Sequence, residues 1–165
     1  MTKRFILGVD PGLFGAFALV EREGDVPKVA VYDMPLDRVT TATGKRRSQI
    51  DLTAATGWID LHADDIALAV VEEPGAMPGQ GVASTFRFGF ACGAAQALVA
   101  AHFLPFQLVR PAAWKRAMRL VATGKDGARQ MATRLLPRQA HLWPRVKDDG
   151  RAEAVLLALY GRQLL

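Results

Sequence analysis

The first third of the chain consists of short apolar runs separated by glycine-containing turns. Three of these runs have the length of strands, and the turns between them are too short to contain a helix. They cover residues 4–10, 15–22 and 28–34. Because consecutive strands joined by short turns pair antiparallel, the pattern predicts a three-stranded antiparallel unit at the start of the fold.

The pattern changes after residue 34. A polar stretch that contains TGKRRS is interpreted as a loop, and helical spacing then runs from Asp51, a residue able to cap a helix, to about residue 63. The apolar run IALAVVE at 66–72 is continuous, which predicts a buried, central strand in a parallel position. The remaining predicted elements are a long helix at 84–102, a short strand at 106–110 and helices at about 111–118, 125–136 and 149–162.

This order of elements predicts an α/β fold with a mixed sheet of five strands flanked by helices. The chain has 165 residues, and half of them are hydrophobic, so it can bury a substantial core and is too apolar for a disordered protein. The pattern contains no internal repeat and no linker. We therefore expect residues 1–165 to form a single domain.

The sequence shows no signal for export or membrane insertion. Its apolar stretches are short or broken by polar residues, and the run before Asp10 is too brief for a signal peptide. Cys92 is the single cysteine, so no disulfide can form within the chain. We expect a cytoplasmic protein that does not associate with a membrane.

Positive charge is concentrated in a few short stretches. The net charge is +5, and a basic surface suits a polyanion such as nucleic acid, although an ordinary solvated surface is the alternative. The clustered basic residues are Lys45, Arg46 and Arg47, then Arg110, Lys115, Arg116 and Arg119, then Lys125, Arg129 and Arg134, and finally Arg138, Arg145, Lys147 and Arg151.

Two acidic residues stand where predicted strands end. Asp10 closes the first strand, directly before a proline and a glycine, and Glu72 closes the strand at 66–72. If these strands are neighbours, both carboxylates meet at the edge of an open α/β sheet where ligands usually bind. Adjacent carboxylates repel each other unless a divalent cation such as Mg²⁺ lies between them. A simple turn cap is the alternative role for a single strand-end aspartate.

A further acidic group opens the last predicted helix, in the sequence KDDGRAEA. Asp149 and Glu153 are four residues apart and therefore share one helical face, which continues into an apolar stripe that packs on the sheet. Asp148 stands one residue earlier, at the helix start. Stabilisation of the helix dipole by N-terminal acids is the alternative explanation.

Together these motifs resemble the RuvC-type Holliday junction resolvases of the ribonuclease H-like superfamily, in particular their compact branch encoded by phages and prophages. The matching segments span nearly the whole chain in the family's order. They are GVDPG (8–12), VVEEPGAMPGQGVASTFRFG (70–89), RPAAWKRAM (110–118), GKDGARQMA (124–132) and KDDGRAEAVLLALYG (147–161). GVDPG alone is also typical of sugar kinases and actin-like ATPases, whereas the later motifs at these spacings are specific.

The resemblance implies a ribonuclease H-like fold and a nuclease in which four carboxylates hold two Mg²⁺ ions per active site, with Mn²⁺ able to substitute. Asp10, Glu72 and Glu153 match three of the family's ligands. The family places an acid or a histidine three residues before its last aspartate, where this chain has Gly150. Asp149 is the expected fourth ligand, and Asp148 remains the alternative.

The resemblance also implies contacts with branched DNA. Lys125 is similar to a family lysine near the scissile strand, and the loop from 75 to 84 is expected to read the branch point. Phe86 is suited to stacking on unpaired bases, with core or dimer packing as its alternative role. The expected DNA-binding residues are Lys115, Arg116, Lys125, Met77, Gln80 and Phe86.

The function implied by the resemblance is metal-dependent, structure-selective cleavage of four-way DNA junctions by paired nicks. In this family the long helix after the loop contributes to a two-fold dimer, so a homodimer is expected here. The alternatives are a related nuclease acting on other branched DNA or on RNA–DNA hybrids, and a junction-binding protein without catalytic activity. An actin-like phosphotransferase needs a second domain, for which 165 residues leave no room.

Overall fold

The computed structural model describes residues 3–76, 79, 81–120, 124 and 126–165. The strands are β1 (Phe5–Asp10), β2 (Ala16–Glu21), β3 (Val29–Asp33), β4 (Leu36–Thr40), β5 (Arg46–Ile50), β6 (Ile66–Glu72) and β7 (Phe106–Val109). The α-helices are α1 (Leu52–Asp60), α2 (Val82–Ala101), α3 (Pro111–Ala117), α4 (Gly127–Leu135) and α5 (Asp149–Arg162). Short 3-10 helices cover Ala63–Asp65, Pro137–Leu142 and Val146–Asp148.

Five of the strands form one mixed sheet in the order β3-β2-β1-β6-β7. β1 pairs antiparallel with β2 and parallel with β6, and β6 also pairs parallel with β7. Because β6 has a strand on each side and a packed core on each face, its sequence is continuously apolar. The predicted mixed sheet of five strands flanked by helices is confirmed.

The polar stretch predicted as a loop contains a β-hairpin, so that part of the prediction is wrong. β4 and β5 pair antiparallel, from Leu36 opposite Ile50 to Thr40 opposite Arg46, and form a separate two-stranded sheet. The turn between them includes Gly44 at φ +78°, where L side chains are strained. Ile50 is the one buried residue of the two strands, so no apolar alternation marks either strand in the sequence.

Helix α5 packs on one face of the five-stranded sheet, directly over β1. Alternate residues of a strand point to opposite faces, so Asp10 lies on the α5 side while Val9 faces α1 and α2. Gly8 also lies on the α5 side, where a Cβ would overlap the carbonyl oxygen of Ala154. The missing side chain lets the helix lie close to the strand, which brings the start of α5 to the carboxyl end of β1.

Helix α2 packs on the opposite face of the sheet with one of its sides. Ala95 and Val99 are fully buried, whereas Val82 and Phe86 are 88% and 76% exposed. By length and composition α2 is also long and apolar enough to cross a membrane, although a single helix of this kind is weak evidence for a span. The helix therefore combines a side packed in the core with an apolar side that the described part of this chain leaves exposed.

Candidate metal centre

Three carboxylates meet where β1 and β6 end. These strands are parallel neighbours, with Val9 opposite Val71, so Asp10 and Glu72 lie at the same edge of the sheet. Glu153 reaches the same point from the first turns of α5. One oxygen of each carboxylate lies within 4.8 Å of the other two. The fold thus brings together acids that are 62 and 81 residues apart in the sequence.

The turn that follows β1 orients the first of these acids. The backbone N–H of Gly12 donates to Asp10 Oδ1 at 3.2 Å, and the N–H of Gly15 donates to the carbonyl oxygen of Gly12 at 2.9 Å. A Cβ at Gly15 would overlap the carbonyl oxygen of Asp10, so the turn requires glycine at this position. The sequence GVDPG therefore ends a core strand on a carboxylate and turns its own backbone N–H back towards that carboxylate.

Gly150 determines how closely α5 approaches this turn. A Cβ at this position would overlap the carbonyl oxygen of Phe14 and lie 3.0 Å from Asp10 Oδ2. A side chain at 150 is excluded unless the turn moves. Glycine at position 150 therefore lets the start of α5 rest on the β1–β2 turn.

The two aspartates before Gly150 have different surroundings. Asp149 is exposed and lines the cavity that also contains Asp10 and Glu153. Asp148 is 4% exposed, and the guanidinium of Arg145 approaches its carboxylate to 2.7 Å. The hydrogen bonds from Arg145 hold the pKa of Asp148 below its usual value. Of the two, Asp149 has the side chain available to the cluster, and its role as a ligand stays a prediction.

Close packing of the acids raises their affinity for positive charge. Burial, followed by the negative charges of Glu153 and Glu72, raises the pKa of Asp10 to about 7. Burial also raises the pKa of Glu72, although a hydrogen bond from Trp114 opposes this. Such a cluster is stabilised by a proton or by a cation between the carboxylates.

Two residues of α3 contact the acids. Trp114 is fully buried and donates its indole N–H to Glu72 Oε1 at 2.8 Å, and Lys115 donates to Glu153 Oε1 at 2.7 Å. Burial lowers the pKa of Lys115, but the hydrogen bond to Glu153 and the negative charges of the cluster raise it overall. One protein cation therefore already neutralises part of the charge of the acids.

Sequence reasoning missed the role of Trp114, although one signal was available. The dipeptide Trp-Lys follows shortly after β7, whose last residue, Val109, lies opposite Glu72 in the sheet. A helix that starts at this edge places its first buried side chains beside the strand ends. The periodicity of a seven-residue helix could not identify the partner, because a buried tryptophan is usually a core residue.

The other predicted residues have different environments. Arg116 and Phe86 are exposed, on α3 and α2 respectively. Lys115, predicted as a phosphate contact, contacts the acid cluster in this structure. Met77, Gln80 and Lys125 lie outside the described residues.

Arg87 is a positively charged residue beside the acids that the sequence analysis did not select. It belongs to α2 and lines the cavity together with Ser84 and Phe88. Its Nε donates to the carbonyl oxygen of Ala83 at 3.1 Å, which restrains the guanidinium near the helix surface. An arginine close to a carboxylate cluster is suited to binding a phosphate that the acids alone would repel.

The donor set of the cluster fits a hard divalent cation. Asp10, Glu72 and Glu153 offer carboxylate oxygens, which are the ligands that Mg²⁺ and Mn²⁺ prefer over sulfur. The triad can therefore bind a divalent metal ion.

No protein-family model and no curated protein matches the sequence. Solved structures do match. RuvC of Thermus thermophilus is 18% identical, with a TM-score of 0.59 over 97% of this chain and 96% of that one. T. thermophilus RuvC in complex with a Holliday junction substrate matches with a TM-score of 0.56 at 18% identity, over 98% of this chain and 96% of that one. The yeast mitochondrial Holliday junction resolvase Ydc2 is 15% identical, with a TM-score of 0.57 over 98% of this chain and 79% of that one. At these identities the likeness shows the fold, which is the predicted ribonuclease H-like one.

Proposed function

We propose that this chain is a metal-dependent, structure-selective DNA endonuclease that resolves four-way junctions by paired nicks. The observation that carries the proposal is the cluster of Asp10, Glu72 and Glu153 at the edge of β1 and β6. The cluster occurs in a fold that matches a RuvC–junction complex over 98% of this chain. We assign the protein to the compact phage- or prophage-like type of resolvase, with residues 1–165 as one cytoplasmic nuclease domain.

The proposed cofactor is Mg²⁺, with two ions per active site and Mn²⁺ as a substitute. Asp10, Glu72 and Glu153 would hold the ions, with Asp149 as the fourth ligand. When bound, the ions supply an activated water and stabilise the leaving oxygen in an in-line displacement at phosphorus. The reaction requires no side-chain nucleophile, because water is the attacking group.

The chain's own residues hold the ligands in place. Trp114 engages one oxygen of Glu72 and leaves the second oxygen for the cluster, while the N–H of Gly12 orients Asp10. Lys115 balances the charge of Glu153, and the same ammonium group is suited to the scissile phosphate when the acids are neutralised otherwise.

DNA contacts are proposed for the residues around the cavity. Arg87 lines the cavity that contains Asp10 and Glu153, Lys115 contacts Glu153, and Arg116 is exposed on α3. Such contacts hold the DNA backbone and do not depend on the DNA sequence. Lys125, Met77, Gln80 and Phe86 stay assigned to DNA on the resemblance alone.

A homodimer is proposed to supply two symmetric nicks. Val82, Gly89 and Gly93 recur at spacings of seven and four residues and are all exposed, so they form one apolar side of α2. The two glycines of this side would let a second helix approach closely, and a two-fold arrangement would form one closed interface.

Cleavage of a panel of DNA substrates tests the proposal. Four-way junctions, flaps, Y-forms, linear duplexes and RNA–DNA hybrids are compared in Mg²⁺, Mn²⁺ and EDTA. Paired nicks at the four-way junction, present in both metals and lost in EDTA, are the expected result. Preferential cleavage of flaps or hybrids would assign a related nuclease, and binding without cleavage would assign a junction-binding protein.

Variants of the acids separate binding from catalysis in the same assay. Asp10→Asn and Glu72→Gln should abolish cleavage while junction binding persists, because binding depends on the basic surface. Glu73→Gln is the matched control and should retain activity, since Glu73 is exposed and lies one residue past β6.

A further inference from the structure

The β4–β5 hairpin carries an unneutralised concentration of positive charge. Arg38, Lys45, Arg46 and Arg47 lie on it, against Asp37 as its single acid. Among the residues that the structure describes, none of these four cations takes part in an ion pair. The hairpin therefore contributes a large part of the chain's net charge of +5 from a short exposed segment.

The arrangement of these cations is unfavourable for the isolated chain. Arg38 lies opposite Ser48 and Thr40 lies opposite Arg46, so Arg38 and Arg46 are diagonal neighbours on the same face of the hairpin. Diagonal neighbours on facing strands are within reach of each other's long side chains, so the two positive charges repel each other. A polyanion that lies along the hairpin would remove this repulsion.

A groove connects the hairpin with the acid cluster. Residues 47–50 of β5 form one side of this groove, and Phe86, Arg87 and Phe90 of α2 form the other. Leu13 and Arg87 line both the groove and the cavity that contains Asp10 and Glu153. A chain of phosphates that leaves the acid cluster past Arg87 therefore reaches the base of the hairpin.

We propose that the β4–β5 hairpin is a phosphate-binding arm for the DNA duplex that leads away from the cleavage site. This inference rests on the proposed nuclease function and adds a second contact surface to it. Each hairpin strand has five residues, or about 17 Å, which is the length of roughly five base pairs of B-form DNA. Its four cations lie between the middle of the hairpin and its tip, where they can contact phosphates without reading sequence.

Binding of a four-way junction in EDTA tests the arm, because cleavage is then prevented. The variant R38Q/K45Q/R46Q removes three positive charges from the hairpin. The matched control K3Q/R22Q/K28Q removes three charges at the opposite end of the sheet, near the start of β1 and the end of β2. Both variants have the same net charge, so a difference between them reports the position of the charges.

The hairpin variant should bind the junction about 30-fold more weakly near 0.1 M salt, and the slope of log K against log salt should fall by about 2–3. The control should change the affinity by less than about 3-fold. At saturating enzyme in Mg²⁺ the hairpin variant should cleave at the wild-type rate. The tip variant K45Q/R46Q should show a smaller loss in the same direction, which keeps the test valid if the triple variant unfolds.

The outcomes separate this inference from the nuclease proposal. Equal losses in the two charge variants, or wild-type binding by the hairpin variant, overturn the arm and leave the nuclease standing. If the wild-type protein binds DNA through the hairpin but cleaves no substrate, the nuclease proposal fails and the arm stands. Failure of the wild-type protein to bind any DNA overturns both.

Discussion

The indole N–H of Trp114 lies 2.8 Å from Oε1 of Glu72, and both side chains are buried. The two residues are 42 positions apart and meet because α3 starts beside the end of β6. A hydrogen bond from a neutral donor fixes one carboxylate oxygen without neutralising the charge. Where a carboxylate binds a metal ion, removal of such a hydrogen-bond partner typically changes metal affinity or activity 10- to 100-fold.

Replacing the indole donor of Trp114 should lower the affinity for metal ions more than it lowers the stability of the fold. Trp114→Phe should raise the Mg²⁺ concentration needed for half-maximal cleavage by about 10-fold or more, because Glu72 loses its orientation. Trp143→Phe is the control, since Trp143 is also fully buried and donates its indole N–H to Thr133 at 2.9 Å. Metal titrations and thermal melting of both variants are the measurements. Similar metal dependence in the two variants would mean that Trp114 acts only in packing.

The two aspartates before Gly150 should have opposite effects. Asp149→Asn should reduce cleavage at saturating DNA by orders of magnitude with little change in melting temperature, because its side chain is exposed beside the cluster. Asp148→Asn should keep most of the cleavage rate and lower the melting temperature, because it breaks the ion pair between the buried Asp148 carboxylate and the exposed Arg145. The reverse ranking of cleavage rates would assign Asp148 as the ligand and leave the nuclease proposal intact.

Without metal, the acid cluster should make the protein less stable at higher pH. The pKa of Asp10 is raised from 3.8 to about 7, so the folded state binds more protons than the unfolded state between these values. The free energy of unfolding therefore falls as pH rises through this interval. Melting in EDTA should show a lower temperature at pH 8 than at pH 5, and Mg²⁺ should reverse the loss at pH 8. A flat profile for the wild-type protein would contradict the clustering, whereas Asp10→Asn should flatten most of the dependence.

Gly150 should not tolerate a side chain. Gly150→Ala places a methyl group against the carbonyl oxygen of Phe14, and overpacking of this kind costs about 1–3 kcal/mol. Gly57→Ala is the control, because a Cβ at Gly57 of α1 meets no atom within 4 Å and should stabilise the helix by about 0.5–1 kcal/mol. Denaturant unfolding of both variants gives the comparison. Equal free energies of unfolding for the two variants would show that the β1–β2 turn can move to accommodate the methyl group without loss of stability.

The exposed side of α2 should carry the dimer contact. Gly93→Glu introduces a charge on this side, where the described part of the chain leaves open space, and should convert the dimer to a monomer. Gly57→Glu places the same charge on α1 and should leave the dimer intact. Light scattering of the wild-type protein and both variants measures the mass. A wild-type monomer, free and on DNA, would contradict the paired-nick mechanism.

Local patterns in the sequence were sufficient to predict most strands of the sheet and most helices. Strands β1, β2, β3 and β6 alternate or run apolar between glycine turns, and their predicted bounds agree with the structure within about one residue. Asp10 and Glu72 were identifiable because each closes such a run. Local spacing also placed Asp149 and Glu153 on one helical face. All of these inferences depend on relations between residues that are close in the sequence, and the spacing of apolar and polar residues shows such relations directly.

Contacts between distant parts of the chain could not be predicted from these local patterns. The β4–β5 hairpin is held by strand pairing and a glycine turn instead of a buried face, so no hydrophobic period marks it. The contact of Lys115 with Glu153 joins residues 38 positions apart, and its direction depends on how α3 and α5 pack around the sheet. Asp148 pairs with Arg145 whereas Asp149 is exposed, although the two residues are adjacent in the sequence. These contacts form when elements that are distant in the sequence pack together, so the local spacing of residues cannot predict them.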